Sequence, residues 1–121
     1  MNILVIDGAN VVGSRPDGWW RDRPGSARRL AEELDTAQLP YDGVVLVLEG
    51  AARRGRPEGD KHGLRVEHAD GGGDDTVVAE VLRRVAAGAD VDVVTADRGL
   101  RSRVDAAGGR SLGPGWLLDQ L

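Results

Sequence analysis

The sequence predicts an α/β fold, a mostly parallel central sheet with helices on both faces. Three observations predict it. Apolar runs of strand length, Ile3–Ile6, Val44–Leu48 and Val91–Val94, are nearly continuous in Val, Leu and Ile, as in strands buried on both faces. Segments with helical spacing separate the strands. The alternation fits into 121 residues, enough for one domain (1–121) with a single core and right-handed crossovers.

The elements follow in order. Strands are expected at 2–7, 44–49, 64–68 and 91–95, with a short fifth at 110–112. Pro24 or Ser26 opens a helix whose apolar positions are Ala27, Leu30, Ala31 and Leu34. Asp74 opens a second, with Val77, Val78, Val81, Leu82 and Val85, which Gly88 ends. Arg98 opens a third, with Leu100, Val104 and Ala107, which Gly108 and Gly109 end. Pro114 suits the first turn of a last helix through Trp116, Leu117 and Leu118 to Leu121. Segments 8–23 and 50–62 lack either period and read as loops rich in Gly, Arg and Pro.

Composition narrows the chemistry. With three Trp, one Tyr and no Phe, the core must be built from Val, Leu, Ile and Ala. The absence of Cys excludes disulfides and thiolate zinc sites. No basic and apolar leader precedes the first strand, and the apolar runs are far shorter than a membrane span, so a cytoplasmic location without membrane attachment is expected. A net charge of −4 argues against a broadly basic nucleic-acid binder. The bases are nevertheless gathered in two regions: Arg15, Arg21, Arg23, Arg28 and Arg29 in one, Arg53, Arg54, Arg56, Lys61 and Arg65 in the other. That distribution suits an acidic centre flanked by loops that grip phosphate.

The acids fall at strand exits. Asp7 ends the first run, Glu49 the second, and Asp97 follows the fourth through Thr95 and Ala96. Asp74 and Asp75 open a helix after the flexible Gly71-Gly72-Gly73. In an open parallel sheet, ligands bind beyond the carboxyl ends of the strands, where strand order reverses. Carboxylates collected there are costly to bury unless a cation compensates them, and hard oxygen ligands suit Mg²⁺ or Mn²⁺. Asp7, Asp74, Asp75 and Asp97 are therefore the catalytic and metal-ligating candidates, with Glu49 as a further ligand. Either Asp74 or Asp75 would serve. Each acid also has a local alternative, as a turn residue (Asp7) or a helix cap (Asp97, Asp74). Glu80 is expected to face solvent.

Asn10 is a candidate for a substrate or water contact, or for a cap. Arg98, Arg15, Arg21, Arg53 and Arg54 are candidate phosphate contacts. Trp19, beside Trp20, could stack a base of single-stranded RNA or pin its loop to the core. His62 and His68 lack zinc-type spacing, and neither a phosphate-binding GxxxxGK[ST] nor a GxGxxG motif is present.

The strand-terminal DGAN at 7–10, the GDD at 73–75, the VVTADRGLR at 93–101 and the closing GPGWLLDQL at 113–121 resemble the NYN domains of the PIN-like nuclease superfamily. The similarity covers nearly the whole chain. It implies a three-layer PIN-like fold with strand order 3-2-1-4-5 and metal-dependent cleavage of RNA to 5′-phosphate and 3′-hydroxyl ends. It places the metal on Asp7, Asp74 or Asp75, and Asp97, and puts Glu49 where the family often has Asp. The expected activity is a Mg²⁺- or Mn²⁺-dependent ribonuclease with RNA as partner. The alternatives are a non-catalytic RNA- or partner-binding module on the same fold, or a small-molecule phosphohydrolase. The last would use Asp7 as nucleophile, with Ala9 standing where a second Asp is usual.

Overall fold

The computed structural model describes all residues, 1–121. Its elements are β1 (Asn2–Asp7), α1 (Gly8–Gly13), α2 (Arg23–Thr36), β2 (Gly43–Leu48), β3 (Gly59–Lys61), β4 (Leu64–His68), α3 (Gly73–Ala86), β5 (Asp90–Val94), α4 (Arg98–Ala106), β6 (Arg110–Leu112) and α5 (Pro114–Leu118), with 3-10 turns at Trp19–Arg21 and Gly50–Gly55. Together they form one six-stranded sheet in the order β3-β4-β2-β1-β5-β6.

β1 pairs in parallel with β2 and with β5, β2 with β4, and β5 with β6. Those five strands stand in the order that the family resemblance implies. The difference is a sixth strand, β3, which pairs antiparallel with β4 at the edge. It falls inside the segment read as a loop at 50–62. The hairpin turns at His62-Gly63, both with positive φ (55° and 78°), which matches the twist of a two-residue connection. β3 carries Asp60 and Lys61, so its run has no apolar signature, and a short charged edge strand resists pairing with another sheet. The other expected loop, 8–23, likewise holds structure: α1 and the turn at Trp19–Arg21.

Successive side chains in a strand point to opposite faces, and the core divides accordingly. Leu4, Ile6, Leu46, Leu48, Leu64, Val66 and Val94 pack on one face with α1, α2 and Leu117 of α5. Ile3, Val5, Val45, Val47, Val91 and Val93 pack on the other with Val77 and Val81 of α3 and Leu100 and Val104 of α4. The result is three layers. The buried hydrophobics are Val, Leu, Ile and Ala throughout.

Glu80 is a correction. It lies on the buried side of α3, 2% exposed, rather than toward solvent. Arg83 and Arg84, one turn on, both pair with it. Burial, together with the neighbouring Glu67 carboxylate, pushes its pKa up, whereas Arg65 and Arg83 help to hold that of Glu67 down.

Candidate active site

The carboxyl ends of β1, β2, β4 and β5 open on one edge of the sheet, and α1, α3 and α4 begin there. The chain steps from β1 through β2 to β4 on one side, then returns to β5 on the other side of β1. The switch point therefore lies between β1 and β5, where the crevice of an open α/β sheet forms.

Asp7 occupies that position. It is the last residue of β1 and is 6% exposed. Its Oδ1 accepts weakly from the backbone N–H of Asn10 (3.4 Å), capping α1, and its Oδ2 accepts from the Thr95 hydroxyl (3.0 Å). Burial raises its pKa above the ordinary carboxylate range. The two hydrogen bonds oppose that shift, and the charges of Asp74 and Glu49 add to it. Gly8 is required by close approach: a Cβ there would stand 2.5 Å from the Val47 carbonyl oxygen of β2.

Glu49 follows β2 directly and is half-buried. Its carboxylate rests against Gly73, where a Cβ would meet Oε1 at 3.2 Å. Glycine at the start of α3 therefore leaves room for the Glu49 carboxylate, and the charges of Glu49 and Asp74 both act on Asp7. Asp75, one residue on, turns outward and pairs with Arg103 of α4 at 2.8 Å. The fold thus separates two adjacent acids that the sequence left equivalent: Asp74 joins Asp7 and Glu49, and Asp75 does not.

Asp97 stands further out. Its side chain is exposed, and Oδ1 accepts from the Leu100 backbone N–H (2.8 Å), capping α4. Thr95 ties it to Asp7: the Thr95 hydroxyl donates to Asp7 and accepts from the Asp97 backbone N–H (3.2 Å). Thr95 is fully buried and was not singled out from the sequence. A hydroxyl at the end of an apolar strand, two residues before an acid, is the signal that could have found it. The Asn10 side-chain oxygen accepts from the Ala96 backbone N–H (2.8 Å), a second tie between α1 and the β5 exit.

None of the ion pairs of the protein involves Asp7, Glu49, Asp74 or Asp97. The centre is a collection of carboxylates without a protein cation. No three Asp, Glu or His side chains form a ready-made cage, as mutually repelling carboxylates would not. An all-oxygen donor set of this kind, with a buried member raised in pKa, fits a hard divalent cation.

The arginines sort by partner. Arg15 forms a two-pronged pair with Glu33 (2.6 and 3.0 Å) and is committed to holding its loop on α2, not to a free phosphate contact. Arg21 lies over the Trp20 ring. Arg53 reaches only backbone carbonyls, those of Gly50 and Ala69. Arg54 and Arg98 are exposed. None of Arg21, Arg53, Arg54 and Arg98 has a carboxylate partner, so their charge stays available. Trp19 is half-buried against the core, edge-on to Trp20. His68 is held by the Arg56 carbonyl (2.7 Å), and His62 sits in the β3–β4 turn, so neither joins the acids.

Fold and site together define an α/β protein whose buried Asp7 ends the central strand of a mostly parallel sheet, with Glu49 and Asp74 near it. In overall fold the chain is similar to Rae1 (YacP) from Bacillus subtilis, solved as a tryptophan-to-leucine variant. The TM-score is 0.69 over 98% of this chain and 74% of that one, at 17% sequence identity. No family model matches the chain, and no curated protein matches it. No helix is long and apolar enough to cross a membrane.

Proposed function

We propose that the protein is a divalent-metal-dependent ribonuclease of the PIN-like, NYN type, acting on single-stranded RNA. The observation that carries this is the buried Asp7, grouped with Glu49 and Asp74 at the β1–β5 switch point and paired with no basic residue. The motif resemblance and the likeness in fold to Rae1 support it.

Asp7, Glu49 and Asp74 would hold Mg²⁺ or Mn²⁺, with Asp97 at the outer rim and Asp75 outside the set. A divalent ion held there supplies a Lewis acid for the phosphate and acidifies a bound water. The chain's own residues do the rest. Thr95 aims Asp7 and favours its ionised form by donating to it, against the effect of burial. Asn10 and Thr95 lock the β1 and β5 exits together, so Asp7 and Asp97 keep a fixed relation. Arg98, at the first turn of α4, and Arg53, Arg54 and Arg21, none of which pairs with a carboxylate, would offer guanidinium donors to the phosphodiester backbone. No side-chain nucleophile is needed. A phospho-aspartate route through Asp7 is less well supported, because both its oxygens are engaged and Ala9 supplies no second acid.

The test is cleavage of a short single-stranded RNA in Mn²⁺, with and without excess chelator, by wild type, Asp7→Asn and Asp74→Asn. The reading expects cleavage only by wild type and only with the metal. Undiminished cleavage in chelator would overturn it. RNA binding without cleavage or metal affinity would favour the binding-module alternative.

A further inference from the structure

Beside the carboxylates lies a pocket that shares only Glu49 with the proposed metal ligands. Its volume is about 260 Å³, and it is lined by Gly8, Ala9, Val12, Trp19, Leu48 and Ala52, with Arg23 and Glu49 also on its wall. Most of that lining is apolar, whereas the other large clefts are lined chiefly by polar and charged residues. It is smaller than the roughly 300–1,000 Å³ typical of drug-sized ligands, which limits its occupant to one small planar group.

The wall has a definite chemistry. Trp19 supplies an indole anchored in the core. The Arg23 guanidinium lies over that ring, 5.3 Å from its centroid, and pairs with no carboxylate. A guanidinium held over an aromatic face by cation–π attraction is positioned to meet a base beside that ring and to donate to it. Glu49 is shared between this pocket and the acidic centre, so an occupant would sit next to the reacting phosphate. Arg53 and Arg54, on the turn that also contributes Ala52, carry unpaired positive charge beside it. An apolar slot, a stacked guanidinium and a cationic approach together match a nucleobase attached to a phosphodiester strand. Unstacked RNA bases are captured on aromatic rings and on Arg planes.

We propose that this pocket binds one nucleobase of the RNA strand, at a fixed distance along the chain from the scissile phosphate, with Trp19 and Arg23 as its stacking wall. The proposal rests on the ribonuclease reading and adds to it a subsite that fixes which bond is cut. Arg23, which the sequence places in the first basic region beside Trp19, is its principal polar residue.

The test uses an RNA octamer and a set of octamers each with one abasic nucleotide, cleaved in Mn²⁺ by wild type and by Ala52→Leu. Leu at 52 fills the pocket from its rim without removing Trp19, and thermal melting verifies that the variant is folded. One abasic position, at a constant offset from the cut, is expected to lower wild-type kcat/KM by roughly 5- to 150-fold, the loss of one base–aromatic stack. Ala52→Leu should lower kcat/KM on the intact octamer by a similar factor and show no further loss on that abasic octamer. Wild-type cleavage that is indifferent to every abasic position, or an Ala52→Leu protein as active as wild type, would overturn the pocket and leave the nuclease standing. Failure of wild type to cut any octamer in Mn²⁺ would overturn both.

Discussion

Asp7 is a buried carboxylate with no basic partner. Two acids face it, and its only donors are a hydroxyl and a backbone N–H. Its raised pKa fixes the sign of a pH effect. Between the ordinary carboxylate value and the raised native value, the native state keeps a proton that the unfolded chain has lost. Without divalent ions, this group therefore makes stability fall as pH rises through that window. Asp7→Asn removes the buried charge, although its single side-chain oxygen replaces only one of the two that accept from Asn10 and Thr95, and it is expected to melt higher than wild type in chelator at neutral pH. Added Mn²⁺ should raise the melting temperature of wild type but not of the variant; equal responses would contradict the assignment. Thr95→Val removes the hydroxyl that lowers the Asp7 pKa and leaves Asp7 short of a donor. It should cost about 1–3 kcal/mol of stability. It should also lower cleavage by about 10–100-fold, with the acid limb of the pH–rate profile moved upward, and Thr95→Ser should restore both. A Thr95→Val profile superimposing on that of wild type would show that the hydroxyl does not act through Asp7.

At the scale of elements, strand ends and helix starts coincide, so one residue often serves both the fold and the site. Asp97 caps α4 and, in the proposed function, also stands at the rim of the metal site. Asn caps a helix about as well as Asp, so Asp97→Asn should leave the melting temperature within a degree or two yet lose cleavage, whereas Asp97→Ala should add about 0.5–2 kcal/mol of destabilisation. Gly8→Ala drives a Cβ toward the Val47 carbonyl and is expected to destabilise by about 1–3 kcal/mol, measured by denaturant unfolding. The long elements were legible because periodicity is a local property. The runs in β1, β2 and β5 and the apolar stripes of α2, α3 and α4 follow directly from residue spacing. β3 was not legible, because a charged edge strand of three residues has no buried face to mark it. α1 was missed because its six residues are too few to display a period. Glu80 was misread because its burial depends on Arg83 and Arg84 neutralising it. The i+3 and i+4 spacing made that pairing visible, but spacing alone does not reveal burial.

Over the whole molecule, the proposed RNA binding asks an acidic protein to hold a polyanion with local charge. The net charge of −4 conceals the fact that Arg15, Arg56, Arg65, Arg83, Arg84, Arg103 and Arg110 are spent on carboxylates. Arg21, Arg23, Arg53, Arg54 and Arg98 are not. The sequence located the basic regions but could not tell committed from free arginines, since Glu33, the partner of Arg15, arrives from another element. It placed the acids at strand exits, yet only the tertiary fold distinguished Asp74 from Asp75. The affinity for single-stranded RNA should fall with salt, each phosphate contact contributing a log–log slope of about −0.7. Arg53→Gln combined with Arg54→Gln should flatten that slope by about 1.4. Arg15→Gln should leave it unchanged while lowering stability, and a slope equally altered by Arg15→Gln would contradict the division into free and paired arginines.

The most direct measurement is anomalous diffraction from a crystal of the protein soaked in Mn²⁺. The account predicts a single strong peak bounded by the carboxylates of Asp7, Glu49 and Asp74, with Asp97 at its outer side and Asp75 still paired with Arg103. A crystal that shows no peak there, at a Mn²⁺ concentration that supports RNA cleavage, would contradict it.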